Sequence, residues 1–154
     1  MAVSAESVRS FLESASLLDS ISKDKLSRYL SLYEKATKTT SALTGMPGGG
    51  GSDRDAVLAT LSDAEEELKR WKVIAEERKE LVTQFLRDAE IDDYYRDMLI
   101  RRYVTRVGWH FIYLMIRDEK EMSERKMFYD HNRALEACAD WVNTTGKYIG
   151  VIDK

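Results

Sequence analysis

Cysteine is almost absent from this chain. Cys138 is the only cysteine among 154 residues, so no disulfide can form within the chain, and one thiol alone is a poor metal site. Proteins without disulfides are typical of reducing compartments. The first residues also lack the basic segment and apolar core of a secretory signal. These shortages together predict a cytoplasmic protein.

Proline and glycine are scarce as well. Pro47 is the only proline, and five of the eight glycines lie within residues 45–51. Because these are the two strongest helix breakers, almost all of the remaining sequence can form uninterrupted helix. The longest apolar run, residues 109–116, is far shorter than the roughly 20 residues that cross a bilayer. We therefore expect a buried helix there and no membrane partner.

The chain has no large excess of either charge. Its formal net charge is −3, with 24 Lys and Arg against 27 Asp and Glu. Residues 1–93 carry a balance of −5 and residues 94–154 a balance of +2. The acidic part is a poor candidate for contact with phosphate, whereas the C-terminal part is compatible with it.

The sequence does contain 44% hydrophobic and 33% charged residues. This mixture is typical of a soluble, folded, helix-rich protein. The length suits one compact domain or a small domain with an extended appendage. From the apolar spacing and the capping residues Ser4 and Ser22 we expect four parts. They are an N-terminal docking helix at 1–21, a helical hairpin at 22–90 with a glycine-rich turn at 45–52, a helix-turn-helix domain at 91–142 and a tail at 143–154.

The hairpin prediction depends on a heptad seam in its second helix, which Ser52 or Asp53 would cap. The seam steps alternately by four and three residues, and only Arg78 interrupts its apolar character. Its members are Val57, Leu61, Ala64, Leu68, Trp71, Ala75, Arg78, Val82 and Phe85. In the first helix the expected inward residues are Leu26, Tyr29, Tyr33, Ala36, Thr40 and Leu43. Two such helices around a glycine-rich turn predict an antiparallel, coiled-coil-like hairpin.

Residues 91–142 predict three consecutive short helices. The first carries Tyr95, Met98, Leu99 and Tyr103 on one face, and Gly108 ends it. The second has Trp109, Ile112 and Ile116 inward, and the third, capped by Ser123, has Met127, His131, Ala134, Leu135 and Cys138 inward. This pattern is typical of a helix-turn-helix domain. The predicted fold class is therefore all-α, a hairpin followed by a three-helix domain.

The outward face of the third helix offers DNA-binding side chains. Arg and Asn form paired hydrogen bonds with guanine and adenine edges, and Lys, Arg and Tyr bind phosphate. A helix amino terminus adds its free N–H groups. The alternative interpretation is an ordinary solvated helix face. The candidate DNA-binding residues are Ser123, Arg125, Lys126, Tyr129, Asn132, Arg133, Arg101, Arg102 and Arg106.

No pattern in the chain predicts an enzyme, a metal site or a cofactor. The glycine-rich stretch lacks the lysine of a phosphate-binding loop and follows a helix instead of a strand. His110 and His131 lie 21 residues apart without a further His or Cys at ligand spacing, so we expect His131 to be a hydrogen-bonded core residue. The glutamates near residues 65–67 and 76–80 lie on the outward face of the heptad helix and predict a solvated surface.

Three stretches together resemble the RinA/ArpU-like phage transcription regulators of Gram-positive bacteria. They are ATKTTSALTGMPGGGGSD at 36–53, LIRRYV at 99–104, and WHFI at 109–112 followed by SERKMFYDHNRAL at 123–135. The resemblance implies a C-terminal domain similar to sigma-factor region 4, and promoter DNA as partner, with host RNA polymerase as a further one. It assigns Ser123, Arg125, Lys126, Tyr129 and Arg133 to the recognition helix.

The chain departs from that family in two places. The turn before Ser123 is about four residues longer and acidic, and Tyr113 stands where a small alanine is typical. Two functions therefore stay open. One is a phage or prophage DNA-binding transcription regulator in a bacterial host. The other is a helical protein–protein interaction factor with a degenerate helix-turn-helix. A homodimer through the hairpin is compatible with either, and no small-molecule substrate is expected.

Overall fold

A computed structural model describes the backbone of residues 2–43 and 51–153, and the side chains of residues 2–38 and 54–153. Every regular element in these residues is helical, which confirms the all-α prediction. The elements are α1 (Ala5–Leu43), α2 (Gly51–Asp88), α3 (Asp93–Leu99), a π-helical segment (Ile100–Val104), α4 (Trp109–Lys120), α5 (Glu124–Thr145) and α6 (Ile149–Ile152).

The predicted break at Ser22 is wrong. The hydroxyl of Ser4 accepts a hydrogen bond from the Ser7 N–H at 3.1 Å and caps the helix, as expected. However, α1 then continues through Ser22 to Leu43. No glycine or proline lies in this range, and serine is only mildly unfavourable inside a helix. The predicted docking helix and the first hairpin helix are therefore one helix.

The glycine-rich turn lies largely outside the described residues, as do the side chains of Thr40, Leu43, Ser52 and Asp53. Helix α2 already begins at Gly51. Ser52 and Asp53 therefore lie within α2 and do not precede it, so the predicted capping position is wrong. The turn was expected to extend to residue 52, but Gly51 and Ser52 belong to α2.

The chain forms two compact units, residues 18–76 and residues 1–17 together with 77–154. We call them the hairpin unit and the core unit. In the hairpin unit, the end of α1 and the start of α2 form a helical hairpin. The Lys25 ammonium lies 2.6 Å from the Glu67 carboxylate, and Arg28 lies 3.8 Å from the same group. Within this unit every predicted seam residue of α2 is buried or half-buried.

The inward face predicted for α1 in the hairpin unit is partly wrong. Leu26 and Tyr33 are 42% and 53% exposed, although both were expected inward. The buried or half-buried positions are Leu18, Asp19, Ile21, Ser22, Lys25, Tyr29, Leu32 and Ala36. Most of these positions follow helical spacing, and they include one aspartate, one serine and one lysine. The face was misassigned because a neighbouring stripe of apolar residues of similar size, Leu26, Leu30 and Tyr33, has the same period.

The core unit has one main apolar cluster centred on Phe85. Its ring makes edge-to-face contacts with Phe11, Trp141 and Tyr148 at centroid distances of 5.4, 5.9 and 5.2 Å. Such pairs add to the free energy gained from burying the rings. The seam of α2 therefore ends inside this core, to which α1, α2, α5 and α6 contribute together with Leu99 of α3 and Tyr103 of the π-helical segment.

Arg96 joins α3 to the end of α2. Its guanidinium donates to the carbonyl oxygens of Leu86 at 3.0 Å and Ala89 at 2.7 Å. The last carbonyls of a helix have no partner within that helix, so these bonds satisfy them. Asp92 caps α3 by accepting from the Tyr94 N–H at 3.1 Å. This arrangement fixes the start of the three-helix region that carries the candidate interface.

Candidate nucleic-acid interface

Helices α4 and α5 are joined by three residues. Helix α4 ends at Lys120, and Glu121 has a left-handed backbone with φ of 47°. The side chain of Met122 is buried, and the Ser123 hydroxyl accepts from the Lys126 N–H at 3.2 Å. Ser123 therefore caps α5, as the sequence predicted, and the first turn of α5 is fixed relative to α4 through Met122.

A second apolar cluster holds α3, α4 and α5 together. It contains Met98 from α3, Ile112 and Ile116 from α4, and Met122 and Met127 around the start of α5. All are buried, as is Leu99. Gly108 has an extended backbone at the start of α4, which agrees with the predicted break. The inward residues expected for α4 are confirmed except Trp109, which is half-buried.

The two faces of α5 differ as the sequence indicated. Met127, His131, Ala134, Leu135 and Cys138 are all at most 3% exposed. On the other face the candidate residues of α5 are exposed, and Tyr129 reaches 59%. They are Arg125, Lys126, Tyr129, Asn132 and Arg133. Guanidinium, ammonium, phenol and amide groups thus follow one side of the first three turns.

Two cations of this face have acidic neighbours on the same helix. Lys126 Nζ lies 3.4 Å from Asp130 Oδ1, and Arg133 Nη1 lies 3.3 Å from Glu136 Oε2. The cationic side chains are 60% and 55% exposed. Both partners of the Arg133–Glu136 pair are exposed, and such pairs contribute only about 0.3–0.5 kcal/mol, so an incoming phosphate can displace Glu136. Lys126 differs, because the side chain of its partner Asp130 is only 8% exposed. Arg125 is exposed without an ion pair among the described residues.

Asp130 is a buried carboxylate that was not predicted from the sequence. It is 6% exposed and accepts a hydrogen bond from the Tyr94 hydroxyl at 3.1 Å. Burial, followed by the hydrogen bond to Asp130, raises the pKa of Tyr94. The available signal was its spacing, three residues after Met127 at the edge of the inward face. Asp130 links α5 to α3 and also positions Lys126.

His131 is a packed core histidine, as expected. Its Nε2 lies 2.8 Å from the Tyr103 hydroxyl, and the Trp109 ring meets it edge-on at 4.6 Å. Burial lowers the pKa of His131 to about 4, and the positive charges of Arg9 and Arg102 act in the same direction. The imidazole is therefore neutral at pH 7. It binds α4 and the π-helical segment to α5.

The three candidate arginines outside α5 lie in or beside the π-helical segment. The Arg102 guanidinium stands 4.9 Å from the centre of the Trp109 ring, and Arg101 Nη1 lies 3.1 Å from the sulfur of Met115. Arg106 is exposed and has a left-handed backbone with φ of 61°. Arg101 and Arg102 are thus half-buried against α4, and Arg106 is the most accessible of the three.

Large apolar side chains surround the basic face. Phe111 is 61% exposed, Met115 47% and Phe128 43%. Phe128 packs against Trp109 with ring centres 5.3 Å apart. Residues 109–116 predicted a buried helix, but only Ile112 and Ile116 of that run are buried. Phe111, Met115 and Phe128 are large apolar side chains on the surface, and none of them was predicted to have a role there.

The acidic turn makes the local charge balanced. Residues 109–135 contain five Lys and Arg and five Asp and Glu. Arg117 pairs with Asp118 at 3.4 Å, and the Lys120 ammonium lies 4.0 Å from the centre of the Tyr94 ring. The positive excess lies just before, since residues 94–108 hold four arginines and one aspartate. A phosphate backbone would meet favourable charge mainly from α5 and the π-helical segment.

Within the side chains that the structure describes, no group of three or more His, Cys, Asp or Glu residues is placed to hold a metal ion. None of the described helices is both long and apolar enough to cross a membrane. No protein-family model matches this chain, and no curated protein or solved structure matches it either. The resemblance to the RinA/ArpU-like regulators stays a prediction.

Proposed function

We propose that this protein binds double-stranded DNA through the exposed face of α5 and acts as a transcription regulator of phage or prophage genes. The observation that carries the proposal is the division of α5 into a fully buried face and a basic, hydrogen-bonding face behind a serine cap. A short connection from α4 and a common apolar cluster hold that helix rigidly, as a major-groove reader requires. We also propose host RNA polymerase as a second partner, and this part of the proposal rests only on the resemblance to the RinA/ArpU-like regulators.

In this proposal Arg125 and Asn132 face base edges, because both side chains form paired hydrogen bonds with purines. Lys126, Tyr129 and Arg133 bind phosphate oxygens, with Arg106 adding charge from the preceding segment. Ser123 has a structural role, since its hydroxyl already accepts from the Lys126 N–H. Arg101 and Arg102 contribute positive potential more than direct contact, because both pack against α4.

The test is a fluorescence-anisotropy titration against duplex DNA from the region flanking the encoding gene, at two salt concentrations. We expect binding that weakens with salt, because bound cations release counterions from DNA. Arg125→Ala should weaken binding by roughly tenfold, about 1–3 kcal/mol for a base-contacting arginine. Arg87→Ala is the matched control, because Arg87 is an exposed arginine of α2. Absence of binding at low salt, both alone and with RNA polymerase, would refute the proposal.

A second candidate function is protein–protein interaction through the hairpin unit. The exposed stripe of Leu26, Leu30 and Tyr33 favours it, because apolar residues at this spacing form the seam of helix pairs. The heptad seam of α2 is already covered within the chain, so a homodimer through the hairpin would use this stripe. Sedimentation of the wild type and of Leu30→Lys tests it. A concentration-dependent dimer lost in the variant supports the homodimer, and a monomer at all concentrations rejects it.

A further inference from the structure

A groove in the core unit has no part in the proposed function. Its volume is about 390 Å³, within the range of small-molecule sites. Three segments line it: the start of α1, the end of α2 and the C-terminal helix α6. The lining residues are Ser10, Phe11, Ser14, Arg78, Leu81, Gly150, Val151 and Ile152.

Arg78 is the feature that gives this groove a chemical character. It is the one charged residue on the heptad seam of α2, where every other member is apolar. Its side chain is half-buried beside the apolar core and borders the groove. Its neighbours on the seam, Ala75 and Val82, are buried. The seam therefore brings one guanidinium to the edge of this groove.

The contacts of Arg78 leave most of its hydrogen-bonding capacity unused. Nη1 donates to the Ser14 hydroxyl at 3.4 Å, a long bond, and the guanidinium lies 5.8 Å from the centre of the Phe11 ring. Ser14 in turn donates to the carbonyl oxygen of Phe11, so its oxygen is oriented to accept from Arg78. Within residues 2–38 and 54–153 no carboxylate forms an ion pair with it. A guanidinium has five N–H donors in a planar fork.

We propose that this groove binds a small carboxylate with an apolar substituent. The planar fork of Arg78 matches a carboxylate in a paired arrangement, and such charge-assisted bonds are roughly twice as strong as neutral ones. The Ser10 hydroxyl is a further donor at the polar end, and Ser14 holds the guanidinium by accepting from it. Phe11, Leu81 and Val151 form the apolar wall that the substituent covers. This inference does not depend on DNA binding, and it departs from the expectation that no small molecule binds.

The experiment is an NMR titration of the full chain, labelled with ¹⁵N, using hexanoate as the probe. We expect shifts of the Gly150, Val151 and Ile152 amides and of the Arg78 side-chain N–H, with a Kd in the millimolar range. Acetate lacks the apolar chain and 1-hexanol lacks the charge. Each should bind at least about fivefold more weakly than hexanoate, about 1 kcal/mol of lost contact.

Arg78→Met is the decisive variant. Methionine fits an apolar seam position, so the melting temperature should stay equal or rise, and hexanoate affinity should fall at least about tenfold, the loss expected for one charge-assisted pair. Ser10→Glu is the second variant. It places a carboxylate on an exposed position that lines the groove, where it would compete with hexanoate for Arg78. Arg87→Met, another α2 arginine, is the matched control and should bind as the wild type does.

Three outcomes would overturn the proposal. They are the absence of saturable shifts, shifts that map to residues outside the groove, and affinity unchanged in Arg78→Met. If the wild-type protein bound hexanoate and 1-hexanol with equal affinity, the site would not recognise a carboxylate, and the proposal would likewise be rejected. Because the probe contains no nucleic acid, none of these outcomes affects the DNA-binding proposal, and failure of DNA binding leaves this site intact.

Discussion

The hairpin unit and the core unit use the same helices with different packing. The core unit contains all of the largest fully buried side chains, among them Phe85, Leu12, Leu86 and Met98. In the hairpin unit the buried apolar residues are three alanines among the described side chains, Ala36, Ala64 and Ala75, each 6% exposed. A regular heptad seam therefore does not by itself produce a dense core. Large residues become fully buried only where a third and fourth helix cover them.

The stability of the two units should differ accordingly. Apolar burial contributes roughly 25 cal/mol per Å² removed from water, so the core unit gains more free energy per residue. Local opening takes place where buried contacts are few. We expect amides of the hairpin unit to exchange with solvent faster than those of α5 and of the end of α2. The four substitutions and titrations below test this contrast, in order of decreasing effect.

The largest effect is expected from Phe85→Ala in the core unit. The ring is fully buried and contacts three other aromatic rings. Its removal should lower the free energy of unfolding by about 3–5 kcal/mol, the cost of a large core cavity. Denaturant unfolding followed by circular dichroism measures it. Phe111→Ala is the control, because Phe111 is 61% exposed, and it should change stability little. Equal effects of the two changes would contradict the assigned core.

Acid should weaken the core unit through His131. Its pKa is lowered from 6.5 in the unfolded chain to about 4 in the fold, so the unfolded state binds more protons between these values. Stability is therefore complete above pH 6.5 and decreases as the pH falls to 4, by on the order of 3 kcal/mol. Unfolding measured across this range tests it. His131→Gln should flatten the curve, whereas His110→Gln, at an exposed position, should leave it unchanged.

A smaller loss is expected from Leu68→Ala in the hairpin unit. Leu68 lies on the seam but is only half-buried. Its truncation should cost about 1 kcal/mol, in proportion to the apolar area it buries. The same substitution at Leu86, fully buried in the core unit, should cost about 2–5 kcal/mol. Hydrogen exchange locates each loss. If Leu68→Ala cost as much as Leu86→Ala, the two units would not differ in packing as described.

The smallest effect is expected from Glu67→Gln in the hairpin unit. The hydrogen bond from Lys25, the largest cause, and the charges of Lys25, Arg28 and Arg70 lower the pKa of Glu67. Its contribution is present above its ordinary pKa of 4.5 and is lost as the pH falls below that value. Glu67→Gln should therefore remove a slight decrease in the free energy of unfolding on acidification. This decrease occurs at a lower pH than the one caused by protonation of His131. A carboxyl-detected NMR titration measures it, and an unshifted Glu67 pKa would contradict the Lys25 contact.

The candidate interface was partly predictable. The serine cap, the inward face of α5 and the neutral core histidine follow from spacing and capping chemistry. Asp130, the contact of Arg102 with Trp109, and the exposure of Phe111 and Phe128 were not found. Each of these depends on which neighbouring helix lies beside the residue, and helical spacing within one segment does not contain that information.

The sequence by itself determined that this protein is helical, because it has one proline, few glycines and apolar residues at helical spacing. It also determined which face of α5 is buried, because that helix has a single apolar face. The tertiary structure decided which of two adjacent stripes on α1 is covered. It also decided that Arg78 borders a groove. The physical reason is that periodicity fixes the faces of a helix, whereas burial depends on the surfaces that other helices bring to them.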